Sequence, residues 1–168
     1  MASSRLPGKV LLDLAGKTTL ERVTERVKAI EQLDSIVVAT TTDPEDELIE
    51  REAKRLGVEV YRGHPSDVLD RYHSAAKVHN AHAIMRITAD CPLLDPQVAT
   101  KIIDTFLETE CDYCSNLRPP TYPDGLDVEL LTAQALETCW NDADLESDRE
   151  HVATYIRRTR SERFTIVN

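Results

Sequence analysis

Met85 to Pro96 reads Met-Arg-Ile-Thr-Ala-Asp-Cys-Pro-Leu-Leu-Asp-Pro, and the chain changes character within a few residues of it. An apolar, β-type run, Ala83 to Thr88, ends at an acid, Asp90. Cys91-Pro92 then blocks further strand pairing, since proline has no N–H to donate. Asp95-Pro96 restarts the chain as a helix, with aspartate as the cap and proline at the first helical position. An acid at the carboxyl end of a buried strand sits where open α/β sheets bind their ligands. There a lone carboxylate can hold a divalent metal on a substrate phosphate. The plain alternative is a turn- or helix-capping aspartate, but Asp95 already caps the following helix and leaves Asp90 free for another role.

Outward from this stretch, strand and helix signals alternate. Thr18 caps a helix and Glu21 can complete a capping box. Leu20, Val23, Val27 and Ile30 form its apolar stripe. Ser35 to Thr40 is a continuous β-branched run, the pattern of a strand covered on both faces. Asp43-Pro44 opens a second helix that stops at Leu56-Gly57. Val58 to Tyr61 reads as a strand, Ser66 to Asn80 as a helix, and the residues after Pro96 as another. Asp112 to Asn116 and Asp127 to Leu131 read as strands separated by a Pro/Gly loop. Helices are expected over Thr132 to Trp140 and Asp148 to Arg158, with a last strand over Phe164 to Val167. The alternation predicts one α/β domain over residues 1–168, doubly wound in three α/β/α layers around a mainly parallel sheet. The first segment is a polar loop with no strand before it, where a phosphate-binding loop normally follows the first strand of such a sheet.

Composition sets limits. The 168 residues are 41% hydrophobic and 30% charged, enough for one packed core and against disorder. The formal net charge of −10 disfavours nucleic acid and anionic membrane as partners. No apolar run spans a bilayer and the start has no signal-peptide pattern, so a cytoplasmic location is expected. Four scattered cysteines read as reduced thiols; Cys111 and Cys114 have half-site spacing but no second pair.

Four groups of residues carry candidate chemistry. Ser3-Ser4-Arg5-Leu6-Pro7-Gly8-Lys9 combines two cations with a glycine that allows close backbone approach. Arg binds phosphate bidentately and Lys as a point charge, yet the spacing is neither a Walker loop nor a dinucleotide fingerprint. Asp90 is the second. Tyr122-Pro123-Asp124-Gly125-Leu126-Asp127-Val128-Glu129 is the third: a tight turn with three acids that could bind sugar hydroxyls. Arg149-Glu150-His151-Val152, near a helix start, is the fourth. The histidines form no metal-ligand set, and there is no serine-hydrolase elbow.

These motifs, taken in order with Val-Val-Ala-Thr-Thr-Thr-Asp-Pro-Glu-Asp and Tyr-Arg-Gly-His-Pro-Ser-Asp-Val-Leu-Asp-Arg-Tyr, resemble the cytidylyltransferase family. That family includes the acylneuraminate and CMP-KDO synthetases, and the spore-coat polysaccharide F branch is the most similar. The resemblance covers nearly the whole chain. It implies a nucleotide-diphospho-sugar transferase fold, with CTP and a sugar, most simply an acidic one, as substrates. It implies that Ser4, Arg5, Gly8 and Lys9 hold the triphosphate and that Asp90 ligates Mg²⁺. Arg62, Asp67 and Asp70 would lie near the nucleotide, and Asp124, Glu150 and His151 near the sugar. Members usually start with an apolar strand, continue past the position of Asn168, and carry glycine where Ala89 stands. A partial domain lacking its first strand is therefore expected, with self-association into a homodimer favoured by the open sheet edge. The alternatives are an inactive nucleotide- or partner-binding remnant, and a nucleotidyltransferase for another base or acceptor.

Overall fold

Residues 6–168 are described in the computed structural model. The capping residues start their helices as the sequence indicates. Thr18 accepts a hydrogen bond from the Glu21 N–H at 3.0 Å and opens α1, Thr19–Lys28. The Glu21 carboxylate does not close a capping box; it pairs with Arg55 and Lys17. After β1, Val37–Thr41, Pro44 begins a single 3-10 turn, Pro44–Asp46, ahead of α2, Glu47–Arg55. Gly57 follows α2 at φ 66°, a conformation that glycine takes without strain. Then come β2, Glu59–Gly63, and α3, Val68–Val78. β3 is Ala83–Arg86, and α4, Pro96–Thr109, is capped by Asp95 through the Gln97 N–H at 2.8 Å. The chain closes with β4, Tyr113–Ser115; β5, Glu129–Thr132; α5, Ala133–Asp142; α6, Glu146–Glu150; and β6, Ile166–Val167.

The helix expected over Asp148 to Arg158 is broken. α6 ends at Glu150, Val152 stands at φ 52°, and a π turn covers Tyr155–Thr159. Buried Asp148 accepts a hydrogen bond from the Thr159 hydroxyl at 3.0 Å. In a continuous helix eleven residues rise about 16 Å, so that bond and an unbroken helix exclude each other.

β1 pairs in parallel with β2, and the other strands form a sheet in the order β3–β5–β4–β6. β4 and β6 are parallel, whereas β5 is antiparallel to both its neighbours. The reversal follows from the linker. A parallel neighbour needs a crossover, usually helical, and the segment between β4 and β5 holds prolines and Gly125 but no helix. Helices cover both faces, because successive strand residues point opposite ways. Leu130 of β5 and Cys114 of β4 pack with Val23, Val27, Ile103 and Phe106 of α1 and α4. Leu131 and Tyr113 pack with Leu69 of α3 and Leu136 of α5. The α/β class and its three layers are thus present. Among the described residues no helix is long and apolar enough to cross a membrane.

One buried acid ties three strands together and a second holds the end of β1 to the turn after it. Glu129 is 2% exposed and accepts the Tyr113 hydroxyl at 2.7 Å. Arg86, its register partner on β3, donates to its other oxygen, and Arg157 lies 3.6 Å away. Burial and the adjacent Glu129 carboxylate push the Tyr113 hydroxyl well above the ordinary tyrosine range. Asp46, also buried, accepts from the Thr40 and Thr41 hydroxyls at 2.7 Å and from the Thr41 N–H at 3.0 Å. Burial opposes its charge, but hydrogen bonds, these among them, outweigh burial and hold the carboxyl below its ordinary 3.8.

Removing one member of a buried ion pair strands the other. Arg86→Met is therefore expected to cost about 3–5 kcal/mol in urea unfolding, and adding Glu129→Gln to recover much of that loss. Asp46→Ala is expected to cost about 1–3 kcal/mol at pH 7. A depressed carboxyl contributes its stability above its unfolded pKa and loses it as the pH falls. The difference between wild type and Asp46→Ala should therefore shrink below the ordinary value of 3.8.

Candidate functional site

At the exit of β3 the chain makes a compact loop. The Cys91 N–H donates to the Thr88 carbonyl at 3.3 Å, and the Leu94 N–H to the Cys91 carbonyl at 3.2 Å. Leu94 is fully buried and anchors the loop to the core, which leaves Asp90 at the surface with its side chain 39% exposed. Gly8, buried at φ 67°, precedes a 3-10 turn, Lys9–Leu11. This turn brings the Lys9 ammonium into an ion pair with Asp90. The Lys9 hydrogen bond holds the Asp90 carboxyl below its ordinary range, against partial burial, and the Thr88 hydroxyl adds to the effect. Two segments 81 residues apart thus place a cation and an ionised carboxylate together at a strand exit.

The Pro123-Asp124-Gly125 turn lies on the same side. Asn116 pins it, with Nδ2 donating to the Leu126 carbonyl at 2.7 Å and Oδ1 accepting the Val128 N–H at 2.9 Å. Burial, and then the negative Asp124 beside it, push the Asp127 carboxyl up. Burial pushes the Cys91 thiol up as well, with further contributions from Asp90, Asp127 and Asp124. Asp124 and Asp127 therefore lie near the Asp90 loop. Glu129 does not join them, which corrects the grouping of three acids. It turns into the sheet toward Tyr113 and Arg86.

The other candidates are held in structural contacts. Arg62 donates to the Thr41 and Asp43 carbonyls at 2.9 and 2.8 Å and to Glu50 at 3.1 Å, clamping the exit of β1 to α2. Asp67 caps α3 through the Asp70 N–H at 2.8 Å and also receives Arg149, at 2.6 Å from the Arg149 Nη2. Asp70 accepts the Trp140 indole N–H at 2.8 Å. Glu150 and His151 are exposed side by side, 4.0 Å apart, just before the positive-φ Val152. Ser4 and Arg5 lie outside the described residues. Among the described residues no three His, Cys, Asp or Glu side chains are arranged to hold a metal ion. Sequence reasoning missed the Asn116 clamp and the Arg149–Asp67 contact. Asn116 carries no motif signal, whereas Arg149 stood inside a motif whose neighbours drew the attention.

The family model described as Cytidylyltransferase matches residues 1–167. The chain belongs to the cytidylyltransferase family. It is 41% identical over 154 residues to an uncharacterized protein of Methanocaldococcus jannaschii, covering 92% of this chain and 62% of that protein. It is 32% identical over 162 residues to the spore coat polysaccharide biosynthesis protein SpsF of Bacillus subtilis, covering 94% of this chain and 66% of that one. It therefore spans a little under two thirds of the length of these curated relatives. A cytidylyltransferase structure from Leptospira borgpetersenii superposes with a TM-score of 0.94 at 35% identity, over 99% of this chain and 71% of that chain. This cytidylyltransferase chain thus shares that structure's architecture over nearly its whole length.

Lys9 sets the ionisation of Asp90 directly. In Lys9→Ala, a ¹³C-detected pH titration should show the Asp90 carboxyl titrating higher than in wild type, toward its ordinary 3.8.

Proposed function

We propose that this chain binds CTP and transfers its CMP group to a sugar hydroxyl, releasing pyrophosphate. The sugar oxygen attacks the α-phosphorus. The bond from that phosphorus to the bridging oxygen of the β-phosphate breaks, pyrophosphate departs with the electron pair, and the hydroxyl proton is lost to a carboxylate or to water. Such a displacement needs charge neutralisation and in-line positioning more than it needs a covalent nucleophile. The observation that carries the reading is the Lys9–Asp90 pair at the exit of β3, where open α/β sheets take their ligands. On this reading Lys9, with Gly8 beside it and Ser4 and Arg5 before it, receives the triphosphate.

The chemistry of Asp90 fits a magnesium ion. It is an ionised oxygen donor, open to solvent, and Mg²⁺ usually takes one or two carboxylates with phosphate and water as the remaining ligands. When bound, Mg²⁺ would neutralise phosphate charge. Lys9 would then exchange its carboxylate partner for phosphate. Asp124 and Asp127, near the same loop, would take the sugar hydroxyls, and the exposed Glu150–His151 pair is a second candidate for the sugar side. Membership of the family supports the cytidine nucleotide, and the spore coat polysaccharide function in SpsF's name supports a sugar acceptor.

Calorimetry with CTP and Mg²⁺, and pyrophosphate release against a panel of acidic sugars, test the reading. Lys9→Ala should weaken CTP binding roughly 10–100-fold, the loss of one charged hydrogen bond. Asp90→Ala should abolish the Mg²⁺ dependence while leaving the melting temperature nearly unchanged, since exposed ion pairs add little stability. Absence of both CTP binding and turnover rejects the reading. Binding without turnover identifies a nucleotide-binding remnant, and equal thermal stabilisation by UTP, GTP or ATP removes the cytidine assignment.

A further inference from the structure

Three helices meet around Trp140, the one tryptophan of the chain. Its indole N–H donates to Asp70 of α3 at 2.8 Å, and its carbonyl accepts the Arg149 Nη1 of α6 at 2.8 Å. One turn past Asp70, on the same face of α3, the His73 ring stacks on the indole. The ring centroids are 4.4 Å apart and the planes 13° from parallel. His73 is only 4% exposed, and its Nε2 is hydrogen-bonded to the Glu137 carboxylate of α5. The transfer of CMP proposed above uses neither His73 nor Glu137 nor Trp140.

This cluster bears on the residues that follow it. α6 has five residues and no side-chain cap. Arg149 moors it: Nε and Nη2 reach Asp67 of the α3 start at 2.8 and 2.6 Å, while Nη1 reaches the Trp140 carbonyl. Glu150 and His151 come next in the chain, just before the positive-φ Val152. The seating of α5 on α3 therefore sets where Arg149 is held, and Arg149 sets where the Glu150–His151 pair emerges. Two contacts that depend on one proton fix that seating. An imidazolium makes a charge-assisted hydrogen bond to a carboxylate, roughly twice as strong as a neutral one. A cation over the face of an indole is also attracted by the ring. A neutral imidazole keeps the stack and weakens both terms.

The charged groups around the imidazole are accounted for. Glu137 meets it from α5, Asp70 and Lys77 stand one turn to either side of it on α3, and Lys77 also acts on Glu137. Arg149 of α6 lies beyond the indole, and Asp148 is bonded by Thr159. The charged residues of β2, the strand beside α3, are held elsewhere, Glu59 by His79 and Arg62 by Glu50. The His73 hydrogen bond holds the Glu137 carboxyl below its ordinary range, so Glu137 stays ionised while an imidazole gains or loses its proton. We infer that His73 is a positioning residue for the Glu150–His151 pair, acting through Trp140 and Arg149, and that its proton makes the joint of α3, α5 and α6 sensitive to pH. The joint is tight with the imidazole charged and loosens as the pH rises. The inference stands on these contacts and not on what the pair binds.

Trp140 reports on the joint directly, because a charged imidazole in contact with an indole quenches its emission more than a neutral one. The test uses the 168-residue protein, ¹⁵N-labelled, with His151→Gln as background to remove titration of the neighbouring ring. Trp140 emission and the cross-peaks of its indole N–H, the Arg149 Nε–H and the Glu150 amide are followed from about pH 5 to about pH 8. Emission should rise in one step, and the three cross-peaks should move with the same midpoint. His73→Phe keeps an aromatic stack without a titrating group and should abolish the step in every signal. Glu137→Gln, at a half-exposed position, should keep the fold and move the step to lower pH, since it removes the carboxylate that favours the charged ring. Flat emission in the parent protein overturns the inference. So does a step that survives His73→Phe, a step unmoved by Glu137→Gln, or a Trp140 step that leaves Arg149 and Glu150 unmoved. A His73 with a packing role alone would lower the melting temperature in His73→Phe and give no step in the parent. If His73→Phe does not fold, the comparison with Glu137→Gln decides by itself. None of these readouts uses CTP, so failure here is distinct from failure of the cytidylyltransferase reading.

Discussion

The buried carboxylate of Glu129 is the contact on which the site end of the four-stranded sheet depends. It stands on β5, the strand shared by β3 and β4, and draws groups from both neighbours: Arg86 across the register of β3 and the Tyr113 hydroxyl from β4. Arg157, from the π turn beyond α6, approaches the same carboxylate. A charge this deeply buried is tolerated only when several donors meet it at once, so the positions of three strands and the C-terminal turn are mutually constrained. Arg86 lies four residues before Asp90. Fixing Arg86 fixes where β3 ends and hence where Asp90 emerges.

From that exit the chemistry is assembled by contacts distant in sequence. Lys9 reaches Asp90 from near the start of the chain, and Asn116 holds the Asp124–Asp127 turn against the same loop. A cation, an ionised carboxylate and a pair of carboxyls, one of them raised, then share one end of the fold. Of the candidate residues, Arg62, Asp67 and Asp70 make hydrogen bonds that tie β1 to α2, start α3 and join α3 to α5.

Much of the fold was legible because its signals are local. Thr18 and Asp95 each cap a helix through an N–H two or three residues on, and a cap needs no tertiary context. Gly57 stops α2 for an equally local reason. The continuous β-branched runs were recognisable as strands meant to be covered on both faces. The antiparallel course of β5 could have been suspected from the helix-free linker before it. The break after Glu150 could not, since it depends on Asp148 meeting Thr159 inside the core. Periodicity sees spacing along one chain segment and has no access to such a bond.

The site divides in the same way. By itself the sequence determined the family, through ordered motifs, and the position of Asp90 at a strand exit, through the abrupt change from β-branched residues to Asp-Cys-Pro. Both rest on residue order and backbone preference, which the chain carries without folding. Only the tertiary structure decided what each charged group does. Glu129 became a buried anchor and not a ligand for sugar, Arg62 became a clamp, and Lys9 became the partner of Asp90. The physical reason is that the role of a charge is set by burial and by donors within about 3 Å. Those donors come from segments tens of residues away.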